Sequence, residues 1–209
     1  MDEMIERARA FYRGADAAHD FDHVLRVLAL VRRIGPAEGA NMRLLELATL
    51  LHDIARAEEG HTGVDHAQAG ASQAREIALS WGYSCEEAEA IARAIAAHRF
   101  RTECPPESVE ARVLYDADKL DAIGAVGIGR AFAFAGRMGQ RLWTPVPAGL
   151  AARREIDHAA WSPSIEFAVK LSRLADSLYT ETARAIARER HAFMVAFFRR
   201  LEAEVQGEV

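Results

Sequence analysis

Residues 44–55, LLELATLLHDIA, are apolar around almost the whole circumference of a helix and then run into a histidine and an aspartate. A helix without a polar face belongs at the centre of a larger helical assembly. The stretch therefore commits the chain to a fold built around it. It also poses a problem, because an imidazole and a carboxylate leaving a hydrophobic segment are costly to bury unless something holds both. A divalent ion would do so: imidazole suits first-row transition metals, carboxylate suits harder ions, and a mixed site admits several. The dipeptide alone is common, so the decision rests on what the other segments supply.

Taken in order, those segments read as helices. Residues 2–12 place Met4, Ile5, Ala8, Phe11 and Tyr12 at helical spacing before Gly14. A second helix opens around Asp16 to His23 and turns Val24, Leu25, Leu28, Val31 and Ile34 inward until Gly35-Pro36 closes it. His23 shares a stripe with Val27, Leu30 and Val31; by itself it reads first as part of an exposed capping cluster. The third helix, about Met42 to Ile54, carries His52 and Asp53, whose side chains diverge by about 100°. Arg56 follows one turn after His52. Residues 58–64 form a polar, Gly-rich loop, and Asp65 caps a helix that runs to Trp81-Gly82. Ser84 caps the next, with Ala88, Ile91, Ala94, Ile95 and His98 on one stripe and Arg99 and Arg101 making its end basic.

After Pro105-Pro106, a helix over 107–121 buries Val109, Val113, Leu114 and Leu120, with Asp116, Asp118 and Asp121 among them. Asp118 and Asp121 face the core at i, i+3 spacing. They answer either to a metal or to a salt-bridged cluster, with Gly124 to Gly129 permitting close packing. Residues 136–162 show no periodicity and read as a lid or an oligomer contact. Ser162-Pro163 starts a helix with Phe167, Lys170, Leu171 and Leu174. Thr180 caps the last, to about Glu204, with Ala183, Ile186, Ala187, Phe193, Met194, Phe197 and Phe198 inward. The reading is all-α, one domain, without internal repeats.

A formal charge of -5 with no basic block argues against wrapping duplex nucleic acid. An acidic chain that handles phosphate needs its positive charge concentrated locally, from a metal and a few basic side chains. Cys85 and Cys104 show no CxxC spacing and read as reduced. The charged N-terminus lacks the apolar core of a signal peptide, and no apolar run reaches the roughly 20 residues that span a bilayer. These features place the chain in the cytoplasm.

His23, the pair His52-Asp53 and Asp118 give the order H…HD…D, each at the edge of a separate helix. Two imidazoles and two carboxylates leave a bound dication near neutral, with positions open for water and a phosphate oxygen. This order resembles the HD-domain metal-dependent phosphohydrolase superfamily, in particular its small stand-alone bacterial members. The stretches AHDFDHVLRVLAL, LATLLHDIAR, VDHAQAGA, AIAAHRF, LYDADKLDAIGAVGIGRAF and TETARAIARERHAFM carry the likeness over nearly the whole chain.

The resemblance implies a single HD-domain helical bundle over 1–209, with the metal-site core at about 16–135 and C-terminal helices at about 162–204 packing on it. It implies one divalent ion (Mn²⁺, Mg²⁺, Co²⁺ or Zn²⁺, occasionally iron or nickel) held by His23, His52, Asp53 and Asp118, with Asp53 orienting or deprotonating a metal-activated water. His66 and His98 match positions lining the cleft, for substrate or for a second ion. Arg56 stands where several nucleotide-directed relatives carry an acid. An arginine cannot be a general base but suits bidentate phosphate binding, so Arg56 and Lys119 are expected to clamp phosphate. Glu58, Glu59, Asp65 and Asp121 are further acid–base or supporting candidates. The GYP-type signature of cyclic-dinucleotide phosphodiesterases is absent from the sequence. The expected activity is cleavage of a soluble (deoxy)nucleoside triphosphate to monophosphate and pyrophosphate. A nucleotide monophosphatase, a phosphodiesterase or a nucleotide-binding regulatory module are the alternatives, and a homodimer is left open.

Overall fold

The computed structural model describes residues 2–12, 21–56, 65–99, 104–147, 149–150 and 161–209. Every regular element among them is helical, in agreement with the all-α expectation. The chain divides into two compact units, Met1–Asp118 and Lys119–Val209.

The first unit holds α1 (Asp2–Arg9, continued by a 3₁₀ turn, Ala10–Tyr12), α2 (Phe21–Ile34), α3 (Met42–Leu51), α4 (His66–Ser80), α5 (Cys85–Ala96) and most of α6 (Val109–Asp121). Its centre is α3, which packs against α1, α2, α4 and α5. Residues 45–55 are buried without a break, as an apolar circumference requires. The one acid within α3, Glu46, reaches the Arg32 guanidinium at 2.7 Å. Local signals set the neighbouring helices. Asp65 accepts from the Ala67 amide to cap α4, and Ser84 and Glu87 form a reciprocal capping box on α5.

Boundaries moved at functionally relevant places. The third helix ends at Leu51 rather than Ile54, and residues 52–55 form a turn in which the Ile54 amide reaches the Leu51 carbonyl. The doublet thus sits just past the helix. Val109, expected inside, is 38% exposed at the first position of α6, whereas Val113, Leu114 and Leu120 are fully buried.

The second unit contains the end of α6, α7 (Gly124–Arg137), α8 (Pro163–Glu166) and α9 (Glu181–Gln206). Ser162 caps α8 with Pro163 at its first turn, and Thr180 caps α9. The helix expected to continue through Leu174 changes character after Glu166, passing through a π-helical segment, Phe167–Leu171. There Phe167 stacks on Phe198 at 4.5 Å. Phe193, expected inward, is 53% exposed; Met194 and Phe198 take the interior positions. Gly124 has a φ of +79°, and a Cβ there would lie 3.0 Å from Arg190 Cγ. Gly127 packs more closely still, against the Ala122 carbonyl, while Gly129 meets nothing, so close packing does not extend along the whole glycine run. Within residues 136–162, Thr144 is tied to the start of α8 by buried hydroxyls, with Ser162 Oγ 2.7 Å and 2.8 Å from Thr144 Oγ1 and Ser164 Oγ. Among the described residues no helix is long and apolar enough to cross a membrane.

Candidate metal centre

His23 lies one turn into α2 and is buried, so its stripe decides its direction rather than the polar residues around it. His52 and Asp53 enter from the turn after α3, and Asp118 from α6 in the last position of the first unit. The four converge. His23 Nε2 is 3.3 Å from His52 Nε2 and 3.4 Å from Asp118 Oδ1. Asp53 Oδ2 stands 3.8 Å from both imidazole nitrogens. The helix break at Leu51 lets two consecutive side chains point into one space.

The turn is built for this. His52 Nδ1 donates to the Thr49 carbonyl at 2.8 Å, which fixes the tautomer and leaves Nε2 with a lone pair facing inward. Burial lowers the His52 pKa to about 4 against the pull of Asp53, with His98 and His23 lowering it further, so the ring is neutral near pH 7. Burial alone would raise the Asp53 carboxyl, but His52, His98 and His23 together hold it well below the carboxylate range. Gly70 on α4 packs against this turn, where a Cβ would meet the His52 carbonyl oxygen at 3.5 Å, an ordinary contact.

His66 and His98 reach the same carboxylate from its other side. Their Nε2 atoms lie 3.6 Å and 3.4 Å from Asp53 Oδ1. His98 Nδ1 donates to the Ile95 carbonyl at 2.6 Å, which orients the ring with its Nε2 toward Asp53. Two groups of side chains can therefore hold a cation, His23–His52–Asp118 and Asp53–His66–His98. Imidazoles set around an ionised carboxylate, two of them (His52 and His98) oriented by backbone carbonyls, are the donor set a divalent transition ion takes. The residues present fit such an ion.

Arg56 Nη1 lies 2.9 Å from His66 Nδ1. Lys119 follows Asp118 on α6, is buried, and opens the second unit. The other candidates fare differently. Asp65 caps α4 and pairs with Arg99 at 2.8 Å. Burial works against its charge, but the Ala67 amide and Arg99 keep the carboxyl below its ordinary value. The same pair shows that the expected basic end of α5 is partly neutralised; Arg101 lies outside the described residues. Asp121 pairs with Arg130 at 3.0 Å within the second unit, the salt-bridged alternative considered for this cluster. Glu58 and Glu59 lie outside the described residues. Sequence reasoning gave Thr49 and Ile95 no role, yet their carbonyls orient two imidazoles; the signal was a residue three positions before each histidine.

The model of the HD domain matches residues 20–123, the span that contains His23, His52, Asp53, His66, His98 and Asp118. YpgQ of Bacillus subtilis, whose function is uncharacterised, is 35% identical over 195 residues, covering 91% of this chain and 86% of its own length. This chain belongs to the HD-domain superfamily. The crystal structure of YpgQ in complex with ADP is similar with a TM-score of 0.77 at 32% identity, covering 99% of this chain and 98% of that one. A predicted HD-superfamily hydrolase from an uncultured Thermotogales bacterium is similar with a TM-score of 0.69 at 31% identity, over 98% and 92% of the two chains. The HD domain and these relatives identify the protein as a metal-dependent hydrolase.

Proposed function

We propose that the protein hydrolyses a soluble (deoxy)nucleoside triphosphate to the monophosphate and pyrophosphate, using one divalent ion held by His23, His52, Asp53 and Asp118. The observation that carries the reading is the convergence of two inward-facing imidazole nitrogens 3.3 Å apart with two carboxylates. The ADP complex of YpgQ supports a nucleotide as ligand, and the family match supports hydrolysis.

When bound, the ion supplies Lewis acidity and lowers the pKa of a coordinated water toward neutrality. Asp53, kept ionised by its neighbouring imidazoles, would orient the attacking water and accept its proton. The water attacks the α-phosphorus, the bond to the bridging oxygen breaks, and pyrophosphate leaves. Arg56 binds phosphate oxygens bidentately and Lys119 adds a second positive charge, offsetting the charge that grows during transfer. His66 and His98 bound the substrate side of Asp53. Mn²⁺, Mg²⁺, Co²⁺ and Zn²⁺ are the candidate ions. We place this reaction in the cytoplasm, which suits two exposed cysteines outside any disulfide.

A second reading has one observation in its favour: the group Asp53–His66–His98 could take a second ion. Against it, the Arg56 guanidinium already lies against His66. Metal analysis of the loaded protein separates the readings, one ion per chain supporting the first and two the second.

Activity is tested by a nucleotide panel with the metal varied and both phosphate products assayed. Pyrophosphate with nucleoside monophosphate is the expected outcome. Orthophosphate release would instead mark a monophosphatase, and thermal stabilisation without product a binding module.

A further inference from the structure

Tyr12 ends the 3₁₀ turn after α1 and is buried, far in sequence from the doublet. Its hydroxyl donates to the Leu50 carbonyl at 3.0 Å, across a separation of 38 residues. The Asp53 backbone amide in turn donates to the Tyr12 hydroxyl oxygen. Leu50 is two residues before His52, and its carbonyl is among those an α-helix leaves unsatisfied at its end. The Tyr12 ring also lies 5.4 Å from that of Phe21, two residues before His23, and Phe21 is covered on another side by the Arg9 guanidinium at 4.4 Å. One side chain thus touches the approaches to two of the segments that converge on the metal centre.

We propose that Tyr12 is a positioning residue for that centre, its hydroxyl fixing the end of α3 where His52 and Asp53 turn out of the helix. The inference rests on the metal assignment made above. Without the hydroxyl, the Leu50 carbonyl is free to continue the helical pattern and the doublet loses the turn that points both side chains inward. Groups that orient ligands from outside the coordination shell typically change metal affinity about 10- to 100-fold when removed.

The test uses the full chain stripped of metal and titrated with Mn²⁺ by calorimetry, comparing the parent with Tyr12→Phe and Tyr83→Phe. Tyr83 is also buried, with its hydroxyl 3.9 Å from Met4 Sδ of α1 and directed away from the doublet's turn toward α1. Tyr12→Phe is expected to weaken Mn²⁺ about 10-fold and Tyr83→Phe to leave the affinity within twofold of the parent. Equal affinity of Tyr12→Phe and parent, or equal weakening by both substitutions, would overturn the inference. A parent that binds no Mn²⁺ overturns the metal assignment itself, and this inference with it.

Discussion

His23 Nε2 and His52 Nε2 face each other at 3.3 Å in a buried setting, and the His52 nitrogen is the one without a proton. Such a pair is satisfied by a cation that both can ligate. His52→Ala and Asp53→Asn are therefore expected to lose Mn²⁺ binding and to reduce nucleotide turnover by more than about 100-fold, since removing a ligand should exceed the loss seen for groups behind ligands. Circular dichroism should report an unchanged helical content. Turnover equal to the parent in either variant would refute the metal mechanism.

Arg56 separates binding from chemistry. Its guanidinium lies beside His66, at the face of Asp53 away from His23 and His52. Hydrogen bonds to charged groups contribute about 1.5–3 kcal/mol, so Arg56→Ala should lower kcat/KM by about 10- to 100-fold. Arg56→Lys should recover only part of the loss, because a lysine cannot form the paired contact. Mn²⁺ affinity should remain near that of the parent. Steady-state kinetics alongside a metal titration would check this, and an unaltered kcat/KM would remove Arg56 from the substrate site.

Asp121 is expected to matter for stability and not for proton transfer. Its carboxylate is buried against Arg130. Breaking a fully buried pair costs about 3–5 kcal/mol; Arg130 retains some solvent contact, so Arg130→Ala should cost about 2–3 kcal/mol in urea unfolding. Asp121→Asn should destabilise less while leaving the pH profile of turnover in place. A displaced profile would return Asp121 to the list of acid–base groups.

Much of the centre was legible because its signals are one-dimensional. Histidines on apolar stripes, an acid following an apolar helix and a carboxylate on an inward face all follow from helical periodicity, and His23, His52, Asp53 and Asp118 converge accordingly. Periodicity failed where partners are tertiary. Asp118 and Asp121 share a face by spacing, yet one joins two histidines and the other an arginine nine residues further on. Phe193 and Met194 are adjacent and apolar, and only the packed neighbours select Met194 for the interior. The early end of α3 was hidden because Ile54 and Ala55 remain buried, so the apolar pattern continues after the backbone has left the helix. Tyr12 carries no local signal at all.

The position of Asp118 at the very end of the first unit has a consequence for how the protein persists in a cell. An ion shared by residues 23, 52, 53 and 118 would close two long loops of chain at once, acting as a reversible cross-link. Its contribution scales with occupancy, about 2.7 kcal/mol when free ion stands at 100 times its dissociation constant. Metal supply would then govern lifetime as well as turnover: starvation would open the first unit to proteases.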